Sequence, residues 1–226
     1  LPIFNFFLLH DIFTRQFSLS RNQEDIHLGI LVIIVTVFLY FFVLSYEGFA
    51  NVFFAIVSSV STSGITTYSS NYNMSLFFIL LTIIGGSVIS TSSGFKYTRI
   101  YILLKISYQE IYRLVKPINV IDKNLYNSES QIDDEDVKIA FLVFLFFIIS
   151  IFVLSSILTL DNLTFENSFK LSILTFTNTT SSALYGMANL SFFDLSNFTK
   201  MSLIIFMILG KIEIIAVIYL IKRFIF

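Results

Sequence analysis

The feature that most constrains this chain is a half-length apolar segment placed between two uncharged apolar runs. The runs cover residues 30–44 and 76–84, and the short segment covers residues 48–60. A helix needs about 20 residues to cross the ~30 Å hydrocarbon core of a bilayer, so the short segment cannot span it. It leads into a hydroxyl-rich turn, Ser61-Thr62-Ser63-Gly64-Ile65-Thr66-Thr67. This pattern predicts a re-entrant pore loop; an extracellular Ser/Thr linker is the alternative for a single copy.

A second copy of the pattern follows further along the chain. The residues Phe49-Ala50-Asn51-Val52-Phe53 lead into the first turn, and Phe165-Glu166-Asn167-Ser168-Phe169 lead into Thr177-Asn178-Thr179-Thr180-Ser181-Ser182. From residue 49 to residue 165 the offset is 116 residues, and the same offset carries Ser61 to Thr177. Internal repetition at a fixed period is typical of a repeated structural unit. Two pore loops are therefore predicted rather than two linkers.

Bulk composition indicates an integral membrane protein. The 226 residues are 56% hydrophobic and 13% charged, and the mean hydropathy is +0.84. The net charge of −1 provides no basic field, so nucleic acid is not an expected partner. The absence of cysteine excludes disulfides and thiolate metal sites. The sequence contains no phosphate-binding loop, zinc-protease helix or nucleophile elbow, so we expect no enzymatic activity and no cofactor.

The order of segments predicts an all-α protein of two tandem helix–pore loop–helix units. Residues 1–22 would be a cytoplasmic connector from a preceding unit, and residues 23–116 the first unit, with a broken second helix. Residues 117–136 would form a cytoplasmic linker, and residues 137–226 the other unit. We expect the chain to be part of a longer protein. The acidic run Asp133-Asp134-Glu135-Asp136 suits a helix N-terminus, with a calcium site as the alternative.

Charge placement predicts the same orientation for both units. Only Lys170 and Lys200 flank the outer loops. The proposed topology places the other cations on one side, as the positive-inside rule requires: Arg15, Arg21, Lys96, Arg99, Lys105, Arg113, Lys116, Lys123, Lys138, Lys222 and Arg223. Parallel units disfavour a secondary transporter built from inverted repeats.

Residues 85–94 interrupt an apolar run that would otherwise continue as one helix. Glycine disfavours a helix interior by roughly 1 kcal/mol relative to alanine, and hydroxyl side chains can bond the backbone of an unwound segment. An intramembrane loop is predicted here. The alternative is a Ser/Thr-rich helix that packs closely on its neighbours through small residues.

These motifs resemble the Trk/Ktr/HKT superfamily of potassium transporters, in which four helix–pore loop–helix units surround one ion path. The first turn, residues 85–96 and Arg99 match the family's third unit, and residues 178–184 and 209–214 match the fourth. The resemblance covers nearly the whole chain and is closest to the Trk potassium uptake membrane subunit, C-terminal half. It implies potassium uptake through a pore-forming subunit of a bacterial inner membrane.

The resemblance also assigns site residues. It implies an ion filter at Thr62, Ser63, Gly64, Ile65, Asn178, Thr179, Thr180 and Ser181. Potassium would be held at Thr62, Ser63, Gly64, Asn178, Thr179 and Thr180. The gating loop would comprise Gly85, Gly86, Ser90, Thr91, Ser92, Ser93 and Gly94. Lys211 would be a barrier beneath the filter, where the family has an arginine; snorkelling to the interface is the alternative.

The filter sequences favour different backbone paths. Gly64 adopts positive φ without steric cost, which lets successive carbonyl groups converge. Thr180 stands at the matching position of the second turn, where a β-branched residue at positive φ is an outlier. Two alternatives to a potassium-selective pore follow: a less selective K⁺/Na⁺ permease, and a non-conducting or decayed membrane subunit.

The resemblance implies several partners. They are potassium ions, membrane lipid, the N-terminal half of the same protein, a second copy in a homodimer and a cytosolic nucleotide-binding regulatory subunit.

Overall fold

The described part of the chain is helical throughout its regular structure. A computed structural model describes residues 3–14, 23–42, 48–65, 74–88, 90–115, 132–161, 163–179, 183–187 and 192–211. The helices are α1 (Phe6–Thr14), α2 (Gln23–Phe42), α3 (Phe49–Val60), α4 (Ser75–Ile83), α5 (Tyr97–Val115), α6 (Asp134–Thr159), α7 (Phe165–Phe176) and α8 (Asn197–Lys211). Short 3-10 turns cover Ala183–Tyr185 and Phe192–Asp194.

Two of these helices are long and apolar enough to cross a bilayer. They are α2, with 20 residues, and α6, with 26 residues. Helix α6 begins within the acidic run, where the Asp133 amide donates to Asp136 Oδ2 at 3.3 Å. Carboxylates in the first turn of a helix are stabilised by the amide groups and the dipole at that end. The predicted helix start is confirmed, and so is the all-α membrane fold.

The helices pack as two units of the same design. In the first unit α3 packs between α2 and α4, and in the second α7 packs between α6 and α8. Contacts of α4 with α7 and of α5 with α6 join the units. One hydrophobic core runs through both, with Val52, Ile56, Leu154 and Leu174 fully or almost fully buried. The C-terminal parts of the half-length helices α3 and α7 thus lie in the protein interior.

The predicted interruption of the first unit is present. Helix α4 ends at Ile83 and α5 begins at Tyr97. Between them the chain doubles back, since the Gly85 amide donates to the Phe95 carbonyl oxygen and the Phe95 amide to the Ile83 carbonyl oxygen, both at 2.9 Å. A continuous Ser/Thr-rich helix is therefore excluded.

A carboxylate joins the end of α6 to the start of α8. Asp161 Oδ2 accepts from the Ser196 amide at 2.7 Å and from Thr199 Oγ1 at 2.6 Å. The bond from the Thr199 hydroxyl, and then that from the Ser196 amide, lower the pKa of Asp161 below its ordinary value. These two bonds, called here the Asp161 clasp, fix the position at which α8 starts.

The N-terminal segment contacts the first unit at the interrupted helix. The Asn5 amide donates to Asp25 Oδ1 at 2.9 Å, and the Ser87 amide donates to the Ile3 carbonyl oxygen at 2.9 Å. Ile3 is buried in the main core. The segment predicted as a connector therefore packs directly against the loop.

Candidate functional site

The two pore helices end in the same hydrogen-bonded turn. Helices α3 and α7 each have 12 residues, and both of their ends are related by the 116-residue offset. After α3, the Thr62 amide donates to the Ser59 carbonyl oxygen at 3.0 Å and the Ser63 amide to the Ser58 carbonyl oxygen at 3.1 Å. This is the Schellman arrangement, which satisfies carbonyl groups at a helix C-terminus.

The turn after α7 repeats this arrangement bond by bond. The Asn178 amide donates to the Thr175 carbonyl oxygen at 3.0 Å, and the Thr179 amide to the Leu174 carbonyl oxygen at 2.8 Å. The side chains repeat as well. Ser61 Oγ lies 3.2 Å from Ser63 Oγ, and Thr177 Oγ1 lies 2.9 Å from Thr179 Oγ1. The sequence repeat is therefore a repeat of structure down to single hydrogen bonds.

Positive φ angles occur where the backbone leaves each helix. Thr62 has φ +55° and Asn178 has φ +52°, at matching positions of the two turns. Asn tolerates this region, but Thr, being β-branched, rarely adopts it. Gly64 also has positive φ, at +67°, as its residue type predicted. Sequence reasoning looked for strain at Thr180, which lies outside the described residues together with Ser181; the structure shows it at Thr62.

The turn after α3, predicted to be the first filter, carries an additional internal bond. Ser58 Oγ lies 2.6 Å from the Ile65 carbonyl oxygen and 3.0 Å from Ser63 Oγ. A carbonyl oxygen has two lone pairs, so one remains for an ion after Ser58 has donated to the other. Ser58 was not among the predicted site residues. It holds the far end of the turn against the pore helix.

In the turn after α7, predicted to be the second filter, a side chain fixes the backbone to α8. Asn178 Nδ2 donates to the Met207 carbonyl oxygen at 2.8 Å. The Nδ2 group of Asn178 is thus committed to the helix, which leaves its Oδ1 atom and its backbone carbonyl oxygen as the atoms that can serve an ion. Thr179 is buried next to it.

The loop between α4 and α5 is held by the side chains of two charged residues. Lys96 is buried, and its Nζ donates to the carbonyl oxygens of Ser90 at 3.2 Å and Ser92 at 2.9 Å. Glu24 of α2 accepts from the Val88 amide at 3.1 Å and from Thr98 Oγ1. These bonds satisfy backbone groups that an unwound segment leaves without helical partners.

Glycine is required in this loop by close packing. A Cβ atom on Gly86 would lie 2.4 Å from the Ile3 carbonyl oxygen, and one on Gly85 would lie 2.7 Å from the Ser93 carbonyl oxygen. Gly94 has φ +87°. The loop therefore has little room for bulkier residues at these three positions.

Two hydrogen bonds join the loop to the other parts of the predicted site. The Ser93 amide donates to Thr62 Oγ1 at 3.1 Å, and Lys211 Nζ donates to the Thr91 carbonyl oxygen at 2.5 Å. A small cavity of about 40 Å³ lies where the loop meets α8, with Ser93 and Lys211 among its lining residues. The structure thus brings the first predicted filter turn, the loop and Lys211 into one connected group.

The approach of Lys211 to the loop depends on its neighbour in the sequence, Gly210. Gly210 packs against the C-terminus of α7, so closely that a Cβ atom there would lie 1.8 Å from the Phe176 carbonyl oxygen. Gly210 was matched to the family pattern without a structural reason. Its role is to let α8 pass beneath the second pore helix.

Several residues of this group escaped the sequence analysis. The sequence analysis placed Lys96 in the run that matches the family and among the cytoplasmic charges, without a role in the loop, and it did not single out Glu24 or Ser58. The position of Lys96 directly after the helix break was the signal available for that residue. The partners of Glu24 and Lys96 lie far away in sequence or in an irregular segment that periodicity does not describe.

Comparison with known proteins decides the family. The family model TrkH, described as a cation transport protein, matches residues 26–224. The chain belongs to the TrkH family. The Trk system potassium uptake protein TrkG of Escherichia coli (strain K12) is 29% identical to it over 236 residues, which cover 99% of the chain and 48% of TrkG.

A solved structure of a TrkH protein shows the same fold. The crystal structure of the potassium transporter TrkH from Vibrio parahaemolyticus aligns with a TM-score of 0.75 at 24% identity, over 89% of this chain and 44% of that one. The chain therefore spans about half the length of the TrkH-family proteins it matches. The resemblance found in the sequence motifs is confirmed, and the relatives are transporters.

Proposed function

We propose that this TrkH-family chain forms half of the wall of a potassium-conducting pore. The observation that carries the proposal is the pair of matching turns after α3 and α7, related by 116 residues and each with a positive φ at its second position. Turns of this kind at half-length helices can present backbone and hydroxyl oxygens to a dehydrated alkali cation. Two units supply two such turns, and the other half of the polypeptide supplies the rest.

The ion ligands in this proposal are oxygen atoms of the two turns. In the first turn they belong to Thr62, Ser63, Gly64 and Ile65, and in the second to Asn178, Thr179, Thr180 and Ser181. The ends of α3 and α7 reinforce the site, because the C-terminus of a helix carries partial negative charge that stabilises a cation. Permeation needs no covalent chemistry.

The loop and Lys211 act as the barrier beneath this filter. Support for the barrier comes from the bond between Lys211 Nζ and the Thr91 carbonyl oxygen. A fixed ammonium group repels a permeating cation, and the repulsion is screened less in a narrow pore than in bulk water. When Lys211 releases Thr91, the loop can move and the path can open.

Reconstitution tests the proposal. The full polypeptide that contains residues 1–226 should take up rubidium or potassium into liposomes, and the purified segment 1–226 alone should not. Flux from the segment alone would contradict the half-wall arrangement, unless cross-linking shows that a dimer completes the pore. If the full polypeptide inserts into the liposomes and still gives no flux, the result would favour a non-conducting subunit.

A less selective K⁺/Na⁺ permease is the second candidate, and the observation that favours it is the threonine at position 180 where the first turn has glycine. Sodium uptake comparable to rubidium uptake in the same liposomes would support it. The cellular setting proposed is the inner membrane of a bacterium, where a second copy and a cytosolic nucleotide-binding subunit would assemble with the chain.

A further inference from the structure

A tyrosine of the second unit is buried against the pore helix of the first. Tyr185 lies in the 3-10 turn Ala183–Tyr185, which packs against α4, and it has 0% exposure. Its hydroxyl oxygen lies 3.2 Å from Ser59 Oγ of α3. Because a buried tyrosine hydroxyl needs a hydrogen-bond partner, this bond decides how Tyr185 seats between the units.

The direction of that bond follows from the other bond of Ser59. Ser59 Oγ lies 2.9 Å from the Ala55 carbonyl oxygen, which can only accept. A serine hydroxyl has one hydrogen, and it is committed to this carbonyl group. Tyr185 therefore donates and Ser59 accepts. The pore helix of the first unit presents a hydroxyl lone pair to a donor that follows the filter of the next unit.

The pore helix of the second unit has a hydroxyl group at the matching position. The 116-residue offset carries Ser59 to Thr175 and Ala55 to Leu171, and Thr175 Oγ1 donates to the Leu171 carbonyl oxygen at 2.7 Å. Its hydroxyl hydrogen is committed in the same way, which leaves lone pairs on the oxygen. The acceptor that receives Tyr185 in one unit is thus repeated in the other.

Thr175 lies beside an open groove. The groove has a volume of about 280 Å³ between α7 and α8, and the described residues that line it include Leu174, Thr175, Thr179, Leu203 and Met207. A cavity of about 150 Å³ lined by apolar residues accepts a benzene-sized ring. The groove is therefore large enough for one aromatic side chain, and its walls are mostly apolar.

We propose that this groove is the socket for one large side chain with a hydrogen-bond donor, from the segment that follows the filter of a further pore unit. That unit belongs to the other half of the same polypeptide, since the chain spans only about half the length of its relatives. The side chain donates to Thr175 as Tyr185 donates to Ser59. This inference rests on the proposed function, because it takes the further unit to be another helix–pore loop–helix unit, outside residues 1–226, around the same ion path.

A photo-cross-linking experiment identifies the occupant. Met207 is 43% exposed and lines the groove, so benzoylphenylalanine at this position in the full polypeptide should react with the segment after a filter in the other half. The same probe at Phe141, 56% exposed on the apolar surface of α6, provides the comparison for a lipid-facing position. An adduct at Met207 with lipid alone, or with residues 1–226 of a second copy, would overturn the inference.

Substitution of the acceptor tests the hydrogen bond. Thr175→Val keeps the shape and removes the acceptor, so it should lower the melting temperature of the full polypeptide about as much as Tyr185→Phe does. Thr175→Ser restores the hydroxyl and should restore the melting temperature. If Thr175→Val melts like the parent while Tyr185→Phe melts lower, the socket does not bind a donor.

Rubidium flux, measured on the same proteins, separates the two proposals. A full polypeptide that conducts but gives only lipid adducts at Met207 would reject the socket and keep the pore. A full polypeptide that gives the expected adduct but never conducts would reject the pore and keep the socket.

Discussion

The Ser93 amide donates to Thr62 Oγ1 at 3.1 Å, and this bond ties the loop between α4 and α5 to a strained residue of the predicted filter turn. Thr62 has φ +55°, and a non-glycine residue in this region costs of the order of 1–3 kcal/mol. Because both partners are buried, breaking the bond leaves an amide without an acceptor. A displacement of the loop therefore changes the support of the turn that follows α3.

The bond between Ser93 and Thr62 predicts a difference between two small substitutions. Thr62→Val keeps the branched shape but removes the acceptor, so it should destabilise the protein by about 1–3 kcal/mol and alter rubidium uptake. Thr62→Ser keeps the oxygen and should behave much more like the parent. Thermal unfolding in detergent together with uptake in liposomes measures both. Equal behaviour of the two variants would show that the bond does not matter.

Gly64 should be sensitive to any side chain. Its φ of +67° costs roughly 1–2 kcal/mol for an L-residue with a Cβ atom, and more for a β-branched one. Gly64→Ala should impair rubidium uptake or its preference over sodium, and Gly64→Val should abolish one or both, while membrane expression is retained. Unchanged rubidium uptake by Gly64→Val would mean that this turn is not the filter.

Two glycines in helices provide a matched pair for close packing. Gly210→Ala should disrupt the contact between α8 and α7, because its Cβ atom would overlap the Phe176 carbonyl oxygen, which belongs to the backbone and cannot rotate away. We expect lower expression and a lower melting temperature. Gly29→Ala is the control, since its Cβ atom would lie 3.8 Å from the Phe4 ring and alanine favours a helix interior by roughly 1 kcal/mol. Similar losses in both variants would contradict this packing argument.

Lys211 provides the test of the barrier. Lys211→Gln removes the charge but keeps a donor for the Thr91 carbonyl oxygen, so basal rubidium flux through the full polypeptide should rise. Lys211→Arg keeps the charge and should stay near the parent. Unaltered flux in Lys211→Gln would indicate a snorkelling lysine outside the path. Reduced flux at equal expression would indicate a structural role instead.

Asp161 predicts a pH dependence of stability at the outer side. Its pKa is lowered in the folded protein, chiefly by the Thr199 hydroxyl, so the unfolded chain binds a proton more readily. The stabilisation is fully present above the ordinary pKa of 3.8 and is lost as the pH falls through the lower folded value. Unfolding followed between pH 7 and pH 2 should show this loss, and Asp161→Asn should remove that part of the profile. A profile unchanged in Asp161→Asn would contradict the clasp.

Local chemistry was enough to locate several elements. The charged start of α6, the half-length helices and the helix break after Ile83 all appear where the sequence predicted them. Each depends on residues close together in the chain: carboxylates at a helix start, an apolar run of fixed length, and glycines among hydroxyl side chains. The positive φ of Gly64 belongs to the same group, since glycine permits this conformation at a turn without steric cost.

Other features depend on residues that meet only in the folded chain. The strain lies at Thr62, a residue type that sequence reasoning does not place at positive φ, and it is supported by Ser93. The requirement for Gly210 comes from the Phe176 carbonyl oxygen, and the burial of Tyr185 from Ser59, 126 residues earlier in the chain. No local pattern encodes such pairs.

By itself, the sequence determined the two-unit helical membrane fold, because membrane thickness, hydrophobic length and the 116-residue repeat are all linear properties of the chain. Only the tertiary structure decided which carbonyl groups the loop offers to Lys96 and Lys211, and that Ser59 of the first pore helix meets Tyr185 of the other unit. The reason is physical: a buried hydrogen bond or a backbone contact at van der Waals distance is set by the relative placement of distant helices, and that placement is a property of the packed core.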